Sequence, residues 1–397
     1  MRMKHRSAYG IAVVLLVICG AAAAAPPPPE VVPVDGGSFA AELSAIDAQW
    51  QITFLAAEGP RVVPAADVVS WGSCVEPARG PLVLLRGGDL LVADVLAADK
   101  QKVSADSTLF GLVDLARDMV AGVVFLPPSN RVRRDLLVDR VEAARGDADR
   151  LILTNDDELA GSIESLRGDV VRIGTDLGVL DVELARVRAV LFRRPLAAPA
   201  PAQGLRAAAG FSDGSLLTAA QMTVDQKSLH VSLAGGLAWS TTPRKLVWLQ
   251  PLGGRVTYLS DLKPADYRHL PYLDLAWPYY ADRNVTGSRL RVGGQVYTKG
   301  LGVHSASRLT YLLDGSYRRF QCELALDDTA EGGGDVRFRV FVDGQVKYTS
   351  PNLVGGSPPL PISVDLVGAK RLDLVTDFAE RADELDRADW LNARLVK

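Results

Sequence analysis

The sequence predicts a mainly β protein. Repeated small antiparallel β-units, barrel-like, come first, and a C-terminal β-sandwich or jelly roll follows. Three observations carry this reading. Short apolar runs recur with Gly/Asp turns between them. Beyond residue 255 the strands alternate in and out at close spacing, as Val336, Phe338, Val340 and Val342 do against Arg337 and Arg339. Almost no helix is expected, the exception being a short one at residues 134–144, where Leu137, Val138 and Val141 share one side.

The 397 residues imply two or three domains. A hydrophobic share of 48% against 23% charged supports buried cores and excludes wholesale disorder. With 44 Lys+Arg against 47 Asp+Glu, the chain lacks the basic excess of a generic nucleic-acid binder. Three cysteines cannot make a disulfide framework, and four histidines leave little for a His-rich metal site. An enzyme is not excluded by composition.

Residues 1–25 read as an export signal. Arg2, Lys4 and Arg6 form the positive region, 11–18 is an apolar run too short to span a bilayer comfortably, and Ala21 to Ala25 supply small residues for cleavage. Cleavage is expected after Ala24, since Pro26 hinders a cut directly before it. A lipid anchor at Cys19 would want a smaller neighbour than Ile18, and an uncleaved anchor is the other alternative. The expected location is secreted, periplasmic or cell-surface, with no membrane contact beyond this segment. Residues 26–33 are a Pro-rich spacer. The remaining Cys74 and Cys322 read as buried thiols.

Residues 34–250 carry four β-units, at 34–72, 83–125, 150–192 and 209–249. Each opens with a Gly/Asp turn and a strand: Gly36-Gly37, Gly87-Gly88-Asp89, Asp156-Asp157, Asp213-Gly214. A second strand and a tight turn follow, such as Glu58-Gly59, Leu177-Gly178 or Gly235-Gly236. Each unit closes with a β-rich run ending at an aromatic or Leu: Trp71, Phe125, Phe192, Leu249. The turn and spacing resemble the small Sm-like or SH3-like barrels. The Ala/Pro stretch at 194–205 is a linker, and Arg131, Arg133 and Arg134 read as a solvated helix face. This half is expected to be a scaffold or interaction module.

In residues 251–397, Asp343-Gly344 is a hairpin turn, and 362–366 with 370–376 is expected as an antiparallel pair around Gly368. Here the chain resembles the NPCBM family of carbohydrate-binding modules, related to the galactose-binding-domain jelly rolls. The residues that carry the resemblance begin with Tyr258-Leu259-Ser260-Asp261-Leu262 and Asp282-Arg283-Asn284-Val285-Thr286-Gly287. Next comes Tyr297-Thr298-Lys299-Gly300-Leu301-Gly302-Val303-His304-Ser305. Leu326-Asp327-Asp328, Phe341-Val342-Asp343-Gly344, Val367-Gly368-Ala369-Lys370-Arg371-Leu372 and Asp386-Arg387-Ala388-Asp389-Trp390 complete it. Family members often have a His where Arg387 stands.

The resemblance implies binding of a glycan or polysaccharide. A sugar site wants an aromatic face for the C–H surface and planar polar groups for the hydroxyls. The candidates are Trp277, Tyr279, Tyr280, Arg283, His304, Asp386, Asp389 and Trp390. His304 could instead bond a backbone carbonyl, Trp390 could be core, and Asp386 and Asp389 could cap a turn or bind calcium. Relatives with this fold hold a structural calcium, for which Asp327, Asp328, Glu331 and Asp335 are a second candidate group.

Catalytic motifs fare poorly. Gly210-Phe211-Ser212-Asp213-Gly214 fits G-x-S-x-G but opens a β-unit where a hydrolase elbow needs a helix. Gly300-x-Gly302-x-x-Ser305 opens no helix either. Asn284-Val285-Thr286 is a glycosylation sequon. The expected function is an exported, non-catalytic carbohydrate-binding protein. The alternatives are a structural or protein-interaction component of the cell envelope, and a carbohydrate-active enzyme with its site in residues 26–250.

Overall fold

The computed structural model describes residues 28–193, 204–272 and 275–397. The expected signal segment, the first residues of the Pro-rich spacer and most of the 194–205 linker lie outside them. The protein is mainly β, with one α-helix among the described residues.

The N-terminal half repeats the same order of elements in all four units. An opening strand comes first: Glu30–Pro33, Leu82–Leu85, Asp149–Leu153 or Arg206–Phe211. The Gly/Asp turn follows it, then three further strands, a three-residue 3₁₀ turn and a closing strand. In the second unit the strand after the turn is split into Leu90–Val92 and Asp94–Ala98. The 3₁₀ turns are Ala65–Asp67, Arg117–Met119, Leu184–Arg186 and Pro243–Lys245. Within each unit the opening strand pairs antiparallel with the closing one, which curls the sheet back on itself. The strand after the Gly/Asp turn carries a register shift in every unit, at Leu43/Ala45, Val95/Ala97, Ile163/Ser165 and Ala219/Gln221. Such bulges bend a strand enough to serve both sides of a small barrel.

The opening strands differ from the sequence reading, in which each unit began at its turn. Residues 30–33, expected in the spacer, form a strand paired with Val68–Gly72. Pro33 is tolerated at its end because Phe39–Ile46 pairs only with Glu30 and Val31, so no strand on that side calls for the missing N–H.

The units are not beads on a string. Closing strands pair across units, with Trp71 opposite Leu249 and Val123 opposite Val190. Asp89 of the second unit accepts from the Thr218 N–H, and the Ser215 hydroxyl accepts from the Val92 N–H. One contiguous core runs through all four and includes Phe54, Trp71, Leu115, Ile173 and Phe211. Each fully buried large apolar side chain contributes about 1.5–3 kcal/mol. Both Cys74 and Cys322 are buried free thiols.

The C-terminal half is a two-sheet sandwich. One sheet runs Tyr280–Ala281, Gly300–His304, Arg387–Val396, Arg319–Leu326, Leu360–Asp365. The other runs Asp266–His269, Ser307–Leu312, Arg371–Phe378, Asp335–Val342, Gln345–Thr349. Val336, Phe338, Val340 and Val342 all face the core between them. The expected pairing around Gly368 does not form. Leu360–Asp365 pairs with Arg319–Leu326 in one sheet and Arg371–Phe378 with Ser307–Leu312 in the other. The turn thus carries the chain across the sandwich, because both strands have apolar residues to bury from opposite sides.

The helix Arg131–Ala143 starts at Asn130, whose side chain accepts from the Arg133 N–H. Arg131 and Arg133 are exposed, as the sequence suggested, but Arg134 and the face that carries Asp135 are docked. Arg134 pairs with Glu76, and Asp135 accepts from Arg291 at 2.7 Å. Arg291 also pairs with Glu76 and is 4% exposed. These buried charges join the β-units to the sandwich.

Candidate functional site

One end of the sandwich gathers three loops. They are residues 275–279, the His304–Ser307 turn and residues 379–386. The strand Gly300–His304 brings His304 here, and its path depends on Gly302. A Cβ at Gly302 would stand 2.4 Å from the Arg283 carbonyl oxygen, so only glycine lets the strand lie against residues 283–284.

His304 is 4% exposed and ends its strand opposite Arg387. The half-buried indole of Trp277 stacks on it, with centroids 4.9 Å apart and an interplanar angle of 3°. His269 meets His304 edge-to-face at 5.9 Å. The Trp277 loop is pinned at two points: its N–H donates to His269 Nδ1 at 3.3 Å, and its carbonyl accepts from the Tyr267 hydroxyl at 2.8 Å. Tyr279 packs on Tyr267, centroids 5.0 Å apart. Burial pushes the His304 pKa down to about 4 and lowers that of His269, so both rings are neutral at pH 7. Exposed Tyr272 meets Phe378 edge-to-face at 6.2 Å.

Asp386 stands beside Ser305 of the His304–Ser307 turn. It is buried, its Oδ1 accepts from the Asp335 N–H at 2.9 Å, and burial raises its pKa to about 6. The Asp335 carboxylate in turn accepts from the Glu380 and Arg381 N–H groups, which shapes the 379–386 loop. Asp383 on that loop lies close enough to favour the charged forms of both histidines.

Several candidates stand elsewhere. Arg283 makes a bidentate pair with Asp139 of the helix, at 2.8 and 2.5 Å, so its fork is already filled by a carboxylate. Trp390 is fully buried against Phe338 and donates from Nε1 to Thr376 at 3.1 Å; it is core. Asp389 is fully buried, and burial together with neighbouring Asp327 raises its pKa well above the usual carboxylate range. Asp327 accepts from Asn284, from the Arg291 N–H and from Thr329, while Asp328 accepts from the Gly293 and Gly294 N–H groups. With Asp335 engaged as described and Glu331 exposed in a left-handed turn, the calcium candidates do not converge. Among the described residues no group of three or more His, Cys, Asp or Glu gathers around one centre. Asn284, the sequon residue, is fully buried and bonded to Ser288.

Sequence reasoning missed His269, Tyr267 and Asp383. The aromatic-polar run Tyr267 to His269 just before Pro271 was the available signal. Of the residues expected from sequence, the structure brings together Trp277, Tyr279, His304 and Asp386. An aromatic plane with neutral imidazoles and carboxylates beside it is suited to a polyhydroxylated ring.

Residues 255–396 match the model of the NPCBM/NEW2 domain. This stretch of the chain is an NPCBM/NEW2 domain. A protein of Renibacterium salmoninarum named as an endo-alpha-N-acetylgalactosaminidase is 36% identical over 110 residues, 28% of this chain and 7% of that protein. The alpha-1,3-galactosidase B of Akkermansia muciniphila is 29% identical over 115 residues, again 28% of this chain and 14% of that one. This chain therefore spans a small fraction of the curated relatives it matches. Among solved structures, a CBM51 of Clostridium perfringens GH95 in complex with methyl-galactose is similar at 21% identity and a TM-score of 0.33. That match covers 36% of this chain and 99% of the other. CBM51-2 and INT domains of Clostridium perfringens ZmpB, in complex with GlcNAc, align at 23% identity and a TM-score of 0.33, over 49% and 40% of the two chains. The NPCBM/NEW2 domain supplies every residue of the Trp277–His304 cluster.

Proposed function

We propose that this chain is an exported, non-catalytic carbohydrate-binding protein. A sugar ring stacks on the open side of Trp277, and the β-units hold the NPCBM/NEW2 domain in place. The single observation that carries the reading is the Trp277–His304 stack. An imidazole buried behind an indole fixes the plane at which a sugar's C–H face is received, which lowers the ordering cost of binding. Relatives named as galactose- and N-acetylgalactosamine-releasing enzymes favour a galactose-type ring. The stretch shared with these relatives is 7% and 14% of their length, and the glycosidase activities in their names are those of the whole proteins.

The test is a glycan-array screen of the full chain beside Trp277→Ala, with and without calcium. Glycan binding that Trp277→Ala strongly weakens is the expected result. Silence of the folded wild-type protein on every glycan overturns the proposal. It would favour the second reading, an envelope component that binds protein. The observation behind that reading is the apolar hairpin of the third unit, where Leu177 is 97% and Val179 58% exposed.

A further inference from the structure

A cleft of about 620 Å³ opens between the β-units and the NPCBM/NEW2 domain, lined by none of the residues of the Trp277–His304 cluster. We propose that it is a second saccharide site, taking a neutral sugar of one or two rings.

The walls have the required chemistry. Gln250 of the fourth unit is 2% exposed; its Nε2 donates to the Tyr258 hydroxyl at 2.9 Å and its Oε1 accepts from Thr298 at 2.5 Å. Gln250 also reaches Asn392 at 3.4 Å, and Asn392 reaches Glu323 at 3.4 Å. Arg394 donates to Gln321 at 3.2 Å and stands 3.7 Å from Glu323. Amides, a hydroxyl, a carboxylate and a guanidinium thus form one connected wall. Such groups keep donor and acceptor capacity beyond these bonds, and they read sugar hydroxyls in pairs. Half-buried Tyr297 lines the same cleft and supplies an aromatic edge, with Trp248 buried behind the lining.

The backbone is irregular at this wall. Arg387–Val396 carries one extra residue against Arg319–Leu326, with Gln321 opposite Arg394 but Glu323 opposite Leu391. Asn392 within that bulge holds φ 48°, a left-handed conformation uncommon for a residue other than glycine. Bulges of this kind re-aim side chains beside binding sites. Glu323 and Arg394 balance each other, and Glu30 on the lining adds a carboxylate. That balance selects against an anionic ligand. The volume falls within the range of small-molecule sites.

The test titrates galactose, N-acetylgalactosamine, N-acetylglucosamine and lactose calorimetrically into the full chain, using wild type, Trp277→Ala, Gln321→Ala, Thr298→Ala and the double variant Trp277→Ala/Gln321→Ala. Thermal melts verify that each is folded. Residual one-to-one binding is expected in Trp277→Ala, weakened at least tenfold when Gln321→Ala is added, with Thr298→Ala affecting the same component. Wild-type binding that Trp277→Ala removes completely overturns the cleft proposal and leaves the loop-end reading intact. Binding untouched by Trp277→Ala but lost with Gln321→Ala does the reverse. Silence of the wild type toward all four sugars overturns the cleft proposal as well.

Discussion

The indole of Trp277 lies parallel to the imidazole of His304, 4.9 Å between centroids and 3° between planes. The imidazole is neutral and buried, so it serves as a rigid backing, and the indole remains half-exposed. Trp390, by contrast, has no exposed surface.

The two tryptophans should separate function from stability. Trp277→Ala is expected to lower glycan affinity at least tenfold, about 1.4 kcal/mol, while leaving the denaturant midpoint nearly unchanged. Trp390→Ala is expected to cost about 3–5 kcal/mol of stability. Calorimetry and urea unfolding on both variants check this. Equal destabilisation by the two would refute the assignment of Trp277 to a surface site.

Arg291 pairs with Asp135 at 2.7 Å and with Glu76, joining residues 156 and 215 positions apart. Removing Arg291 leaves Glu76 with Arg134 but leaves buried Asp135 with only the Arg289 guanidinium, 3.9 Å away. Arg291→Ala should therefore cost about 3–5 kcal/mol and split unfolding into two transitions as the β-units and the NPCBM/NEW2 domain uncouple. Differential scanning calorimetry reads both effects.

Asp386 links stability to pH. Burial raises its pKa from an ordinary 3.8 to about 6, so the fold favours the protonated form. Its contribution is complete below about pH 4 and is lost as pH rises through about 6. Relative to Asp386→Asn, the wild type should lose about 1–2 kcal/mol between about pH 4 and 7.5, once solvent screening is allowed for. Parallel stability profiles of the two proteins across that window would count against a raised value.

Burial and neighbouring Asp327 push the Asp389 pKa well above the usual carboxylate range, toward the neutral form. An amide has nearly its shape without a proton to lose. Asp389→Asn is expected to leave glycan affinity within about twofold and to hold or raise the melting temperature at mildly alkaline pH. A loss of binding in that variant would return Asp389 to the sugar site.

Gly302→Ala tests the path of the strand that carries His304. The added methyl meets the backbone of residues 283–284. A destabilisation of about 1–3 kcal/mol is expected, together with weaker glycan binding as His304 shifts behind Trp277. Urea unfolding and calorimetry of the variant measure the two effects.

Much of the architecture was legible in local chemistry. Gly/Asp turns at fixed offsets, the alternation from Val336 to Val342 and the Asp343-Gly344 hairpin act over a few residues, so their consequences can be read from neighbours along the chain. Trp277 in its Pro-containing loop was legible for the same reason. The opening strand of each unit was harder to see, since short buried runs such as Leu82–Leu85 show no alternation.

Partners distant in sequence were decided by tertiary structure alone. Arg283 and Arg291 look alike as arginines beside a motif, yet their carboxylates come from Asp139, Asp135 and Glu76 in the other half. Trp390 and Trp277 are both aromatic candidates, and only the packing of the two sheets buries one and leaves the other open. Asp386 and Asp389 stand close together in the chain, but Asp386 finds the Asp335 N–H while Asp389 is buried facing Asp327. Local sequence determined where strands and turns form; burial and long-range pairing, which arise only when those strands meet, decided which polar and aromatic groups were left free to act.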